Sequence, residues 1–159
     1  MTANCSIHGA TPHDAPLIAP LVGELLQEIM AAIGIPAFNF ELADTTARLE
    51  EFLAQGKYFV FFAQTADGNP MGFIALYESH ALYAEGSFGT IAELFVRPGF
   101  RSQTLGRRLL GQARELGRAR GWKRLEVTTP PLPQFDKTLA FYENQGFAIT
   151  GGRKLKGVL

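Results

Sequence analysis

This chain of 159 residues has little that could cross-link it, cage a metal or give it a strong overall charge. Its single cysteine, Cys5, excludes an intrachain disulfide and any cysteine-based zinc cage, and it suits a reducing compartment. Charged residues make up 19%, and 15 bases balance 15 acids for a formal net charge of zero. A neutral total argues against a general nucleic-acid binder. The longest strongly apolar stretches, such as residues 58–63, fall far short of the ~20 residues of a membrane helix. The N-terminus lacks the basic-then-apolar layout of a signal peptide. At 47% hydrophobic the chain is nonetheless too apolar for disorder. The expectation is one soluble, cytoplasmic domain over residues 1–159, with no metal, nucleic acid or membrane among its partners and room for a homodimer.

The distribution of charge says more than its sum. Residues 1–96 hold eleven acids and two bases, whereas residues 97–124 hold nine bases and one acid, Glu115. Two readings fit that basic segment. It is a solvated helix face, or it receives an anionic, phosphate-bearing ligand.

Periodicity and turn chemistry outline the elements. Residues 4–9 suit a short strand. Asp14 can cap a helix whose Leu17, Leu21, Leu25 and Ile29 recur every four residues until Gly34 and Pro36. Residues 43–55 suit a second helix, opened by Asp44 or Thr45 and stopped by Gly56. Residues 57–65 and 71–78 read as strands joined by the turn Ala66-Asp67-Gly68-Asn69. Residues 79–88 read as a polar, aromatic loop and 88–96 as a further strand. A helix over 103–120 carries Leu105, Leu109, Ala113 and Leu116 as its apolar stripe and stops at Gly121. A strand over 124–128, a helix over 136–145 and closing strands over 147–150 and 153–159 complete the chain. An antiparallel hairpin leading into strand-helix-strand-helix-strand predicts an α/β (α+β) fold: a mixed, mostly antiparallel sheet with helices on both faces.

Chemistry concentrates where the strand ending Leu94-Phe95-Val96 turns through Arg97-Pro98 into the basic helix. The first N–H groups of a helix lack internal partners, and its dipole adds partial positive charge, so such an end receives phosphate readily. Gly106 lets a ligand approach the backbone, and Arg101 adds a full charge.

Val96-Arg97-Pro98 followed by Arg101-Ser102-Gln103-Thr104-Leu105-Gly106 resembles the acyl-CoA-binding motif of the GNAT N-acetyltransferases, Arg/Gln-x-x-Gly-x-Gly/Ala. Ala140-Phe141-Tyr142 through Gly146-Phe147 resembles that family's C-terminal segment. Thr104 stands where the first motif glycine is expected, Ser102 replaces a frequent glycine, and Phe135 stands where many members have asparagine. The resemblance implies a GNAT-like fold and transfer of acetyl from acetyl-CoA, as cosubstrate and without a metal, to an amine by direct attack. It implies that the backbone of Leu94, Phe95 and Val96 pairs with the pantetheine arm. The amides of Gln103, Thr104, Leu105, Gly106 and Arg107, with Ser102 and Arg101 beside them, would hold the pyrophosphate.

Tyr142 matches the family's tyrosine, which protonates or hydrogen-bonds the leaving thiolate. Glu93 is the candidate base, directly or through water. Glu78, His80 and Glu85 are expected to flank the acceptor mouth. Cys5, with no histidine partner evident, is a poor nucleophile. The acceptor is a small-molecule or peptide amine, and the acidic half either attracts it or only balances the basic half. The alternative is a non-catalytic, GNAT-like acyl-CoA sensor.

Overall fold

The computed structural model describes residues 5–101 and 104–159. They divide into two compact units, Met1–Thr128 and Thr129–Leu159.

The first unit is a five-stranded sheet with three helices. Its strands are β1 (Cys5–Gly9), β2 (Phe59–Thr65), β3 (Pro70–Ala81), β4 (Gly86–Val96) and β5 (Leu125–Val127), and they lie in sequence order across the sheet. The first three pairings are antiparallel, and β4 pairs with β5 in parallel. The mixed, mostly antiparallel sheet expected from the sequence is the one formed.

Helices α1 (Ala15–Ile33) and α2 (Leu42–Ala54) cover one face. Their Ala15, Ile18, Leu21 and Leu49 close on Val60, Phe62, Phe73, Ala75 and Phe95 from β2, β3 and β4. Those strand positions obey the two-residue alternation of a pleated sheet. The alternate positions, Ile74 and Leu76 among them, face the other way. Helix α3 (Leu105–Arg120) packs against β2, β3 and β4 and buries Leu105, Leu109, Leu110 and Ala113. By length and composition residues 12–33 would also span a membrane; α1 uses its apolar stripe to pack on the sheet.

The helix stops are as the sequence predicts. Gly34 and Gly121 take φ of 69° and 73°, the left-handed conformation that closes a helix. Asp14 differs: its carboxylate accepts from the backbone N–H of Thr11 at 2.7 Å, closing the preceding turn rather than capping α1 with its side chain. Asp44 lies within the first turn of α2, whose N-cap is Glu41.

Residues 79–88 are mostly strand, not loop. Ser79–Thr90 (2.7 Å) and His80–Ser87 (3.0 Å) side-chain bonds cross between β3 and β4. The reversal is confined to the short turn Leu82–Ala84, with Glu85 at φ 59°. Polar residues looked like loop because their partners lie in the opposite strand.

The second unit contains α4 (Asp136–Asn144), closed by Gly146 at φ 90°. Residues 147–159 form no strand, contrary to the two expected. Gly151 and Gly152 take φ of 87° and 80°, the positive values of a tight turn, yet no strand forms on either side of them.

Candidate active site

The geometry that matters begins at one irregularity. Along β3 and β4 the register runs Leu76↔Ile91 and then Ala75↔Glu93, so Ala92 is an extra residue in β4. A bulge of this kind reverses the alternation beyond it. Without it, Glu93 would share the α3 face with Ile91. With it, Glu93 joins Ala75 and Phe95 on the face covered by α1 and α2.

The same bulge turns the backbone. The ladder with β5 ends at Ile91↔Val127, while β4 continues to Val96. Arg97 N–H donates to Met71 C=O at 2.8 Å, which makes Gly72↔Val96 a non-hydrogen-bonded pair. Leu94 and Val96 therefore direct their N–H and C=O groups away from β3. Among the described residues no further strand pairs there. This edge can take an extended, amide-bearing ligand as an added strand.

Eight positions, 97–104, separate the end of β4 from the first residue of α3. Gln103, expected to contribute an amide, and Ser102, expected beside the pyrophosphate, lie outside the described residues. Thr104 is the N-cap of α3, at φ 59° and ψ 13°. The first intrahelical bond runs from Arg108 N–H to Thr104 C=O at 3.1 Å. The amides of Leu105, Gly106 and Arg107 therefore precede the ladder and point out of the helix end. Leu105 anchors this end by burying its side chain, while Arg107 is exposed.

Much of the basic segment has partners. The Arg97 guanidinium meets Glu24 at 2.7 Å and donates to Pro70 C=O at 3.0 Å. Arg101 forms a two-point pair with Glu28, at 2.7 and 2.8 Å, and its Nε–H donates to Val96 C=O at 2.8 Å. Glu24 and Glu28 lie one turn apart on α1, so these pairs fasten the β4–α3 turn to that helix. Arg101 acts in this structure as a clamp on the turn, where the sequence suggested a charge for phosphate. Arg120 pairs with Glu78, and Arg124 with Glu126. Arg97, Arg101 and Arg120 thus meet carboxylates from the acidic half, and Arg124 meets Glu126 beyond it.

Glu93 is half-buried, and the loss of solvent pushes its carboxyl up to about 7; a hydrogen bond from Tyr58 pulls the other way. The Tyr58 phenol is itself pushed upward, first by burial and then by Glu93. Nothing local in the sequence points to Tyr58, which is 35 positions away.

Glu78 belongs elsewhere. Its carboxylate accepts from Trp122 Nε1–H at 2.6 Å, with Arg120 close by, and these contacts hold its carboxyl below the usual range. Alternation puts it on the face opposite Glu93, with His80 two residues further along β3 and Glu85 at the turn into β4. Cys5 Sγ receives a contact from Arg108 Nη1 at 2.6 Å. Among the described residues no three His, Cys, Asp or Glu side chains cluster as metal ligands.

In the second unit, α4 presents Tyr142. Its ring is buried, edge-on to Phe141 and Phe147 at 5.3 Å from each, and burial raises its phenol pKa.

Among the described residues, then, the sheet leaves the far end of β4 unpaired beside the start of α3 and the half-buried Glu93 carboxylate. The sequence pattern of the acetyltransferase (GNAT) family matches residues 24–147, and the chain belongs to that family. Solved structures agree on the fold. An aminoglycoside acetyltransferase from an uncultured soil metagenomic sample, in complex with trehalose, is 19% identical, with a TM-score of 0.76 over 98% of this chain and 96% of that one. A ribosomal-protein-alanine N-acetyltransferase from Brucella melitensis biovar Abortus 2308 is 20% identical, with a TM-score of 0.73 over 97% and 99%. A predicted acetyltransferase with acetyl-CoA from Clostridium acetobutylicum is 15% identical, with a TM-score of 0.78 over 96% of each chain. Comparison with curated proteins returns no match.

Proposed function

We propose that this chain transfers the acetyl group of acetyl-CoA to a primary amine of a small molecule or peptide, by direct attack within a ternary complex. The observation that carries this reading is Glu93: a half-buried carboxylate, held by the Tyr58 hydroxyl and pushed up to about 7, one residue from the open β4 edge. At that value it is half ionised near neutral pH, as a general base requires. The residues present fit acetyl-CoA. Leu94 and the Val96 N–H offer main-chain groups to an amide-bearing arm, the Val96 C=O already accepting from Arg101, and the amides of Leu105, Gly106 and Arg107 offer donors to a pyrophosphate.

Glu93 takes the proton of the attacking ammonium, directly or through one water. A C–N bond then forms as the C–S bond breaks, and the second proton that the nitrogen sheds goes, directly or through water, to the leaving thiolate, which departs as the thiol. Tyr142 is assigned to the leaving sulfur by the resemblance of its own segment to the family's. A phenol raised by burial gives up its proton reluctantly, so its role is to donate a hydrogen bond to the thiolate rather than to transfer the proton outright. Clostridium acetobutylicum's similar fold with acetyl-CoA supports the cosubstrate, and the aminoglycoside and ribosomal-protein enzymes supply two amine classes to try.

The test is a panel of amines, aminoglycosides and alanine-terminated peptides included, with free thiol release from acetyl-CoA as the readout. At least one amine should support turnover, and Glu93→Gln should lower it by about 10²-fold or more at pH 7. Thermal stabilisation by acetyl-CoA with no thiol release from any amine would favour the sensor reading.

A further inference from the structure

Glu93 has a dedicated neighbour. Tyr58 lies just before β2, and its hydroxyl donates to both Glu93 carboxylate oxygens, at 3.4 and 3.3 Å. Its ring packs on the core cluster that includes Ala75 and Phe95. Phe52 of α2 tilts against it at 5.2 Å, and Tyr77 of β3 stacks at 6.2 Å, 11° from parallel. Rings on two sides fix the phenol in place. The distances are long for O–H···O contacts, as resting sites often show before substrate tightens them.

We propose that Tyr58 is a positioning residue for acyl transfer: its hydroxyl, fixed between Phe52 and Tyr77, orients the Glu93 carboxylate and steadies the charged form that receives the proton. This rests on the reading of Glu93 as the base. A donor to a carboxylate favours ionisation, whereas burial opposes it. At Glu93 burial wins, and Tyr58 limits the margin. Tyr58's own upward shift keeps it a neutral donor throughout the working pH range. The other groups around the pair do not replace it. Tyr77 acts on Tyr58, α2 presents the uncharged Phe52, and the α1 carboxylates Glu24 and Glu28 are paired with Arg97 and Arg101.

Tyr58→Phe keeps the ring and its two aromatic contacts while deleting the donor. Two measurements on the full chain test the proposal. The first is a carbon-13 carboxyl titration in which the Glu93 resonance is assigned by its disappearance in Glu93→Gln. The midpoint should lie near 7 in the native protein and about half a unit to one unit higher in Tyr58→Phe, since removing a donor favours the neutral acid. The second is kcat/KM against pH with an amine from the panel. The acidic limb should move upward by the same interval, lowering the rate at pH 7 by about two- to fivefold while the alkaline plateau keeps its height. An equal midpoint in both proteins overturns the proposal even if Glu93 is the base. A midpoint that moves while the rate limb stays fixed overturns the assignment of Glu93, and with it the catalytic sense of Tyr58. A plateau lowered at every pH without a limb shift identifies a merely structural tyrosine and also overturns it.

Discussion

At the scale of single residues, Thr104 departs furthest from its surroundings. A β-branched residue at φ 59° is uncommon, because its Cβ crowds the following carbonyl by about 1–2 kcal/mol. Glycine adopts that conformation without the clash. Within a helix glycine would cost stability, which is how residue 104 reads if the helix starts at 103. The structure puts Thr104 outside the ladder as N-cap, and the sign reverses. Thr104→Gly should therefore raise unfolding free energy by about 0.5–1 kcal/mol after the added freedom of the unfolded chain is deducted, or about 1–4 °C in melting temperature. Affinity separates backbone from hydroxyl. If the Thr104 hydroxyl donates to a phosphate oxygen, both Thr104→Gly and Thr104→Val weaken acetyl-CoA binding by about 0.5–3 kcal/mol in titration calorimetry. That is the expected outcome, and valine binding as tightly as threonine would refute it. The sequence singled out residue 104 because a motif defined what should stand there. It passed over Tyr58 because a tyrosine opening an apolar strand looks like packing, and its partner is fixed only by sheet register.

At the scale of elements, most of the architecture was legible and its most consequential detail was not. Apolar spacing and glycine stops located α1, α2 and α3, and a four-residue turn located the β2–β3 hairpin. The bulge at Ala92 carries no local signal, since alanine suits a regular strand as well as an irregular one. Yet it directs Glu93 toward Tyr58 and opens the β4 edge beyond Ile91. Gly72 is where β3 accommodates this segment. A Cβ there would stand 2.5 Å from the Phe95 carbonyl oxygen and 3.0 Å from Val96 Cα, both backbone atoms. Backbone cannot swing aside as a flexible side chain can, so β4 must shift. Gly72→Ala should destabilise the fold by about 1–3 kcal/mol in denaturant titrations, the usual cost of overpacking. Because the displaced stretch is Leu94–Val96, acetyl-CoA affinity should fall as well. A variant that loses stability yet binds acetyl-CoA normally would show that this edge is not where the ligand pairs.

At the scale of the whole molecule, a neutral total conceals two opposite halves that meet in ion pairs: Glu24 and Glu28 with Arg97 and Arg101, and Glu78 with Arg120. These partly exposed pairs add little each, and their larger effect is to fix the turn before α3. The dominant pH dependence near neutrality is expected from Glu93, whose partner among the described residues is the neutral Tyr58. Its folded value of about 7 lies above the ordinary 4.5, so the folded state binds this proton more tightly than the unfolded chain does. The associated stability is complete below pH 4.5, declines as pH rises, and is gone above about 7. Glu78 runs the other way, since its lowered pKa supports the fold above the ordinary carboxylate value and fails only in more acidic solution. The two windows therefore separate. Between pH 5 and 8 the native protein should lose up to about 3 kcal/mol, since each pKa unit is worth about 1.4 kcal/mol. That corresponds to a melting temperature lower by about 5–10 °C at the alkaline end. Glu93→Gln, which cannot ionise, should show a flatter profile and exceed the native protein at pH 8 while matching it at pH 5. Such a gain in stability beside a loss of turnover is what a destabilising group kept for its chemistry produces. Parallel stability profiles for the two proteins would mean that Glu93 ionises as an ordinary carboxylate, and a base poised near neutrality would lose its physical foundation.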